Sequence, residues 1–544
     1  MSNNDDDRLP EEATATTTSP AAAISEIQEY IEISEQRRRV FPRAALVGLG
    51  AGLIAAVFRT TLAGMDALRN SLIARAHDFP AWAWILPVLF SAAGATASVV
   101  LVRRFAPETA GSGVPHLKAV LHRFRTLTWK RVLPVKFLAG ASAIGGGLAL
   151  GREGPTVQMG GAIGDAIAGW LKGSPRERRT LIAAGAGAGL AAAFNAPLSG
   201  LIFVLEEVRR DFHPMVFGAA FIAAVVADIP SRLISGAFPV FTVPNYPTPP
   251  LSSLPGFAVL GIGAGLLGIA FNKSLLGTLD LFARLRGSWA IAIPAGVGGL
   301  VGLVAWFNPL LVGSGHSLAE QVLAGKLMLS ALPVLFVMRF GLTTSSYGTG
   351  ASGGIFAPLL VLGALLGLTM GQILQAIAPA WVPQPAVFAV VGMAAYFAAI
   401  VRAPLTGIML IVEMTGSYQQ MLPLLVSCFF AYAVAELLKD LPIYEALLER
   451  DLVQDGLAIH LREPVVADFE VHQGAAFEGM EVWQLGLPQG CVLVRCVEAG
   501  REQIPTAHTR LEAHMRITAV VAPEAEEAIR ILREGCKAPS TEKQ

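Results

Sequence analysis

The stretch GREGPTVQMGGAIG at residues 151–164 returns in outline as GIFAPLLVLGALLG at 354–367, so that Gly151, Pro155, Gly160 and Gly164 are matched 203 residues later by Gly354, Pro358, Gly363 and Gly367. Two further stretches repeat around it in the same order. GSG at 111–113 recurs at 313–315, and APLSGLIFVLE at 196–206 recurs as APLTGIMLIVE at 403–413. Three elements in one order at nearly one offset define an internal duplication, with halves at about 42–230 and 250–438.

These stretches lie in a chain of 544 residues that is 53% hydrophobic and only 15% charged. Ordinary soluble proteins are roughly a quarter charged, so a purely soluble protein is excluded. Apolar runs follow one another at 44–64, 81–102, 133–150, 179–205, 214–235, 254–276, 288–306, 331–343, 355–378, 386–412 and 420–437. About 20 apolar residues suffice for one helical crossing, so the fold class is an all-α polytopic membrane protein. The Gly- and Pro-broken segments 107–117, 145–165 and 344–360 predict half-helices that meet inside the membrane. The run from 179, by contrast, reads as one long helix with Glu206 and Glu207 at its far end.

Charge places the ends. Arg37, Arg38 and Arg39 precede the first apolar run and put the amino terminus in the cytoplasm, while the uncharged loop 236–255 reads as external. Lys and Arg equal Asp and Glu at 41 each, so no bulk field gathers nucleic acid. Cys428, Cys491, Cys496 and Cys536 have no CxxC spacing, so neither a metal site nor a disulfide framework is expected. The absence of HExxH and GKS/T motifs argues against an enzyme, and no cofactor is expected. Residues 1–41 read as a disordered or amphipathic cytoplasmic segment, 42–445 as the membrane domain, 446–466 as a linker, 467–537 as a small α/β soluble domain and 538–544 as a tail. In the soluble domain CVLVRCV at 491–497 and ITAVV at 517–521 predict strands, and Glu524 to Arg533 an amphipathic helix.

Each repeated motif is a Gly-rich loop beside a helix start. Pro115, Pro155 and Pro358 suit a first helical turn, where a missing N–H costs nothing. Helix starts expose unpaired N–H groups and about half a positive charge, so several converging within a bilayer make a site for a small anion without a buried Lys or Arg in it. Glu153 is a carboxylate among apolar residues. Ionised, it can occupy such a pocket in place of an anion; protonated, it leaves. A plain salt bridge to the adjacent Arg152 is the alternative. Its repeat partner is Phe356, so only the first half can gate. Glu206 pairs with Glu413 in the repeat, which predicts a shared helix-end role, whereas Glu207 pairs with Met414. By itself a Glu–Glu pair before Arg209 and Arg210 reads as a solvated helix end, and His116 as a surface or interfacial side chain.

GSGVP at 111–115, GREGP at 151–155, GIFAP at 354–358 and a tyrosine at 444 just after the last apolar run resemble the signature of the CLC family of chloride channels and chloride/proton antiporters, over about residues 40–450. The resemblance implies two inverted structural repeats with broken helices meeting at mid-membrane. It implies that the Ser112 and Tyr444 hydroxyls and the N–H groups of Ile355 and Phe356 bind chloride, within selectivity loops formed by Gly111, Gly113, Pro115, Gly151, Arg152, Gly154, Pro155, Gly354 and Pro358. Glu153 would be the gating glutamate and Glu207 the internal proton relay, a position that channels fill differently. Ser112 stands where nitrate-preferring relatives carry proline, which favours chloride. The implied activity is exchange of chloride for protons, with a passive voltage- or pH-gated chloride channel as the alternative. The implied assembly is a homodimer in a cell inner or plasma membrane, multi-pass, with both termini cytoplasmic. Residues 481–523 resemble the C-terminal subdomain of bacterial potassium-conductance regulators, which implies a dimer-forming module or one with a small-molecule ligand.

Overall fold

Glycine and proline cut the apolar sequence into two matched sets of eight helices. A computed structural model describes residues 20–537, apart from 80–81, 237–239, 242, 245, 286–288, 380–381, 383, 455–464, 499–500, 523–524 and 526. The expected tail 538–544, residues 1–19 and positions 455–464 of the expected linker therefore lie outside the described residues. The first set is α1 (Pro20–His77), α2 (Ile85–Phe105), α3 (Val114–Leu121), α4 (Trp129–Gly145), α5 (Glu153–Trp170), α6 (Pro175–Phe194), α7 (Pro197–Phe203) and α8 (Pro214–Ser235). The second is α9 (Leu254–Arg284), α10 (Trp289–Phe307), α11 (His316–Leu323), α12 (Leu332–Gly348), α13 (Phe356–Ile377), α14 (Ala386–Val401), α15 (Pro404–Thr415) and α16 (Met421–Leu437). α17 (Ile443–Gln454) follows, and the chain divides into two units, 1–444 and 445–544. α1 already begins inside the first 41 residues, and α17 occupies the start of the expected linker.

Six of the described helices are long and apolar enough to cross a membrane. The others include α3 and α11, with eight residues each, and α7, with seven, which cannot span 30 Å of hydrocarbon. Two apolar runs that read as continuous are broken. α6 stops at Asn195 (φ 51°) and α14 at Arg402 (φ 66°), both left-handed, and an Ala-Pro pair then starts α7 and α15.

Those new starts are capped from the opposite half. Ala196 and Ala403 have no side chain to cap α7 and α15, so the first free N–H groups need a remote acceptor. Glu413 supplies it to α7, accepting from Leu198 N at 3.0 Å and Ser199 N at 2.8 Å. Glu206 supplies it to α15, accepting from Leu405 N at 3.0 Å and Thr406 N at 2.7 Å. This is the shared helix-end role expected of the pair. At the centre Gly151 N donates to Gly354 O (2.6 Å) and Gly354 N to Gly151 O (2.7 Å). Contacts that are returned in this way are the mark of a two-fold relation between the halves.

Small residues let the helices beneath the site touch backbone to backbone. A Cβ on Gly160 of α5 would strike the Gly185 carbonyl of α6, and the reverse holds; Gly363 of α13 and Gly392 of α14 repeat the arrangement.

The second unit forms a four-stranded antiparallel sheet in the order β1-β4-β2-β3, from β1 (Val465–Glu470), β2 (Cys491–Glu498), β3 (Arg501–Gln503) and β4 (Arg516–Val521). α18 (Glu527–Gly535) lays Ala528 and Leu532 on the face formed by Leu493, Cys496, Ile517, Ala519 and Val521. β2 and β4 are the two strands expected; β1 and the three-residue β3 escape a periodicity reading.

Candidate functional site

Each half anchors its Gly-Ser-Gly loop with a buried cation. Lys136 on α4 donates through Nζ to Thr109 O at 3.0 Å and Gly111 O at 2.8 Å. Arg339, its repeat counterpart on α12, donates to Leu311 O at 2.8 Å and Gly313 O at 2.6 Å. Both side chains are wholly inaccessible, and a cation so placed requires such acceptors. The loop carbonyls it engages fix the path of the loop.

The first loop is then stitched to the second half. Gly111 N donates to Ala351 O at 3.1 Å and Gly353 N to Gly111 O at 3.0 Å. With the Gly151–Gly354 pair, these bonds bring the starts of α3, α5 and α13 together. Gly154 has to be glycine here, since a Cβ on it would lie 2.6 Å from Ser112 Oγ. Ser112 and Tyr444 are buried, and neither hydroxyl has a hydrogen-bond partner among the described residues. The two hydroxyls are neighbours, short of hydrogen-bond geometry with each other. Orphaned buried hydroxyls beside helix starts fit an anionic ligand. Ile355 and Phe356 are the N-cap and first residue of α13, where N–H groups have no acceptor within the helix. The Phe356 ring packs on Phe194, Phe203 and Phe397, with centroids 5.6, 6.1 and 4.3 Å away, and these pin the start of α13.

Glu153 is the first residue of α5 and only 2% exposed. Its carboxylate crosses to the other half and accepts from Ala357 N, in the first turn of α13, at 3.3 Å. Arg152 Nε is 3.9 Å away, a looser contact than that hydrogen bond. The side chain therefore lies over a helix start, where anions bind. It also lines a cavity together with Arg152, Phe241 and His316.

Glu207 is not at the end of a long helix. The break at Asn195 puts it on a π-helical turn, Val204–Val208, after the short α7. Nor is it solvated: it is fully buried, with Oε1 2.7 Å from Lys118 Nζ and Oε2 4.0 Å from Arg210. Successive helical side chains point about 100° apart, so Glu206 caps α15 while Glu207 turns inward. Lys118 sits in the second turn of α3, the helix that opens just after Ser112. His116, expected near the surface, is 5% exposed, with Nδ1 3.2 Å from Gln158 Nε2.

Lys118, Lys136, Arg339 and Tyr347, whose hydroxyl accepts from Ser112 N, escape the sequence reading. A signal existed for two of them. Lys136 and Arg339 are lone cations in apolar runs, 203 residues apart like the glycines around them.

Helix starts from two two-fold-related halves, converging on buried hydroxyls and one carboxylate, define a membrane protein with a candidate anion site between its repeats. Residues 94–436 match the family model described as voltage gated chloride channel, and the chain belongs to that family. It is 40% identical over 438 residues to the H(+)/Cl(-) exchange transporter ClcA of Vibrio parahaemolyticus, covering 79% of this chain and 94% of that one. It is 41% identical over 418 residues to the protein of the same name from Cronobacter sakazakii, covering 76% and 89%. Among solved structures it is similar to a slow cyanobacterial Cl-/H+ antiporter, with TM-score 0.75 and 39% identity over 77% of this chain and 99% of that one. A CLC-type fluoride/proton antiporter shares the fold at 20% identity, with TM-score 0.63 over 73% and 95%.

Proposed function

We propose that this protein exchanges chloride for protons across a membrane. One observation carries the reading: the Glu153 carboxylate lies on the free N–H of the α13 start, where a chloride would otherwise bind. An ionised carboxylate and a chloride compete for one positive helix end. Protonation removes the charge that holds the side chain there, so a proton bound at Glu153 and a chloride at the helix start go together. Ser112, Tyr444 and the N–H groups of Ile355 and Phe356 hold the central chloride, framed by the glycine loops. Glu207, buried elsewhere and paired with Lys118, passes protons on the inner side. The names of the relatives support exchange over a passive pore.

The working form is a homodimer with one path per subunit, in a bacterial inner or plasma membrane with both termini cytoplasmic. Residues 467–537 act as a regulatory domain with a small-molecule ligand. The decisive test is an outward chloride gradient across proteoliposomes in unbuffered medium. Protons moving against their own gradient, in step with chloride, are expected; chloride flux without any proton flux would mean a channel.

A further inference from the structure

The serine of the anion site is held in place by the other half of the molecule. Ser112 N donates to Tyr347 Oη at 3.3 Å, and Tyr347, on α12, is only 4% exposed. The glycine loop closes directly over this phenol. Gly111 takes φ +56°, and a Cβ on it would lie 2.7 Å from the Tyr347 hydroxyl, so any larger residue at 111 would push the phenol away. Across the same space stands Tyr444. Tyr444 is close enough to both Ser112 and Tyr347 to interact with them. The hydroxyls of Ser112, Tyr347 and Tyr444 therefore lie near one another in a buried region, and those of Ser112 and Tyr444 have no hydrogen-bond partner among the described residues. The repeat counterpart of Tyr347 in the first half is Ile144, so this phenol belongs to one half only.

We propose that Tyr347 is a specificity-determining residue of the anion site, a third hydroxyl that donates to bound chloride while its oxygen fixes the Ser112 loop. The proposal rests on the chloride reading above. Hydroxyl donors replace lost water, and they matter most to a compact, strongly hydrated anion; chloride gains more from them than nitrate, whose charge is spread over three oxygens. A tyrosine here, in place of a ring without a hydroxyl, raises the preference for chloride.

The test is Tyr347→Phe in the full-length protein, which keeps the ring and its packing. Sodium chloride and sodium nitrate are titrated by calorimetry, and the flux ratio of the two anions is measured in proteoliposomes. Loss of one hydrogen bond to an ion predicts about a tenfold weaker chloride affinity, a smaller change for nitrate and a lower chloride-to-nitrate flux ratio. Site-specific replacement by a fluorinated tyrosine, a stronger donor, should instead tighten chloride, and it gives a readout even if the Phe variant does not fold. Chloride affinity within twofold of the parent and an unchanged flux ratio, in a folded Phe variant, would overturn the inference. So would a fluorinated tyrosine without effect. Failure of the parent protein to bind chloride at all would instead overturn the anion-site reading, so the two failures are distinguishable.

Discussion

Glu153 has one hydrogen bond to give up, whereas Glu207 has an ion pair to keep. The Ala357 N–H that Glu153 occupies at 3.3 Å is part of a helix start that any anion can take over. Glu207 faces Lys118 at 2.7 Å in a fully buried position. Glu153→Gln keeps the shape and loses the charge, so chloride should still cross while proton transport falls to the leak of protein-free vesicles. Glu207→Gln should also pass chloride and stop protons, as expected of the proposed inner proton relay. A chloride electrode and a pH-sensitive dye on the same vesicles check both outcomes; intact coupling in Glu207→Gln would assign the inner relay to another group. The Lys118 pair makes its own prediction. Removing one member of a buried ion pair leaves a charge poorly compensated, so Lys118→Met should cost about 3 kcal/mol. Lys118→Met combined with Glu207→Gln should recover most of that loss, as read from unfolding midpoints in detergent.

The helices beside Lys118 and Glu207 are short, eight residues in α3 and seven in α7. α7 and α15 each begin after an Ala-Pro pair and rely on a glutamate of the opposite half for a cap. Glu206→Gln and Glu413→Gln should each destabilise the protein by about 2 kcal/mol, since hydrogen bonds to a charged acceptor are replaced by neutral ones. The two losses should be similar, because the caps are equivalent by the two-fold; thermal unfolding in detergent compares them directly. A loss at one site only would mean that the returned contacts are unequal in strength. The duplication and the glycine loops were legible in the sequence, because a main-chain anion site leaves its mark in residues that have no side chain. The breaks at Asn195 and Arg402 were not, since hydropathy runs unbroken through 179–205 and 386–412. The signal was the repeated Ala-Pro pair, which forbids the preceding residue an α-helical conformation at little cost in hydropathy. The ion pair of Glu207 was hidden for another reason: its partner lies 89 residues earlier, and only folding brings them together.

At the scale of the molecule the transport unit ends at Tyr444 and a second unit with its own sheet and core follows. Stopping the chain after residue 466 keeps α17 and every residue placed at the anion site. Chloride-driven proton uptake should then remain within about twofold of the full chain, a change no larger than a fraction of 1 kcal/mol in barrier. Loss of flux in a folded truncated protein would make the second unit part of the path. The exchanged caps also have a consequence for how the protein is made. Ser199 leaves the ribosome 214 residues before Glu413, which at 5–20 residues per second is a delay of roughly 10–45 s. For that interval the acceptor that Leu198 N and Ser199 N use in the folded protein has not yet been made. The first half cannot settle on its own schedule, and the chain matures as a single body only once its last cap has been translated.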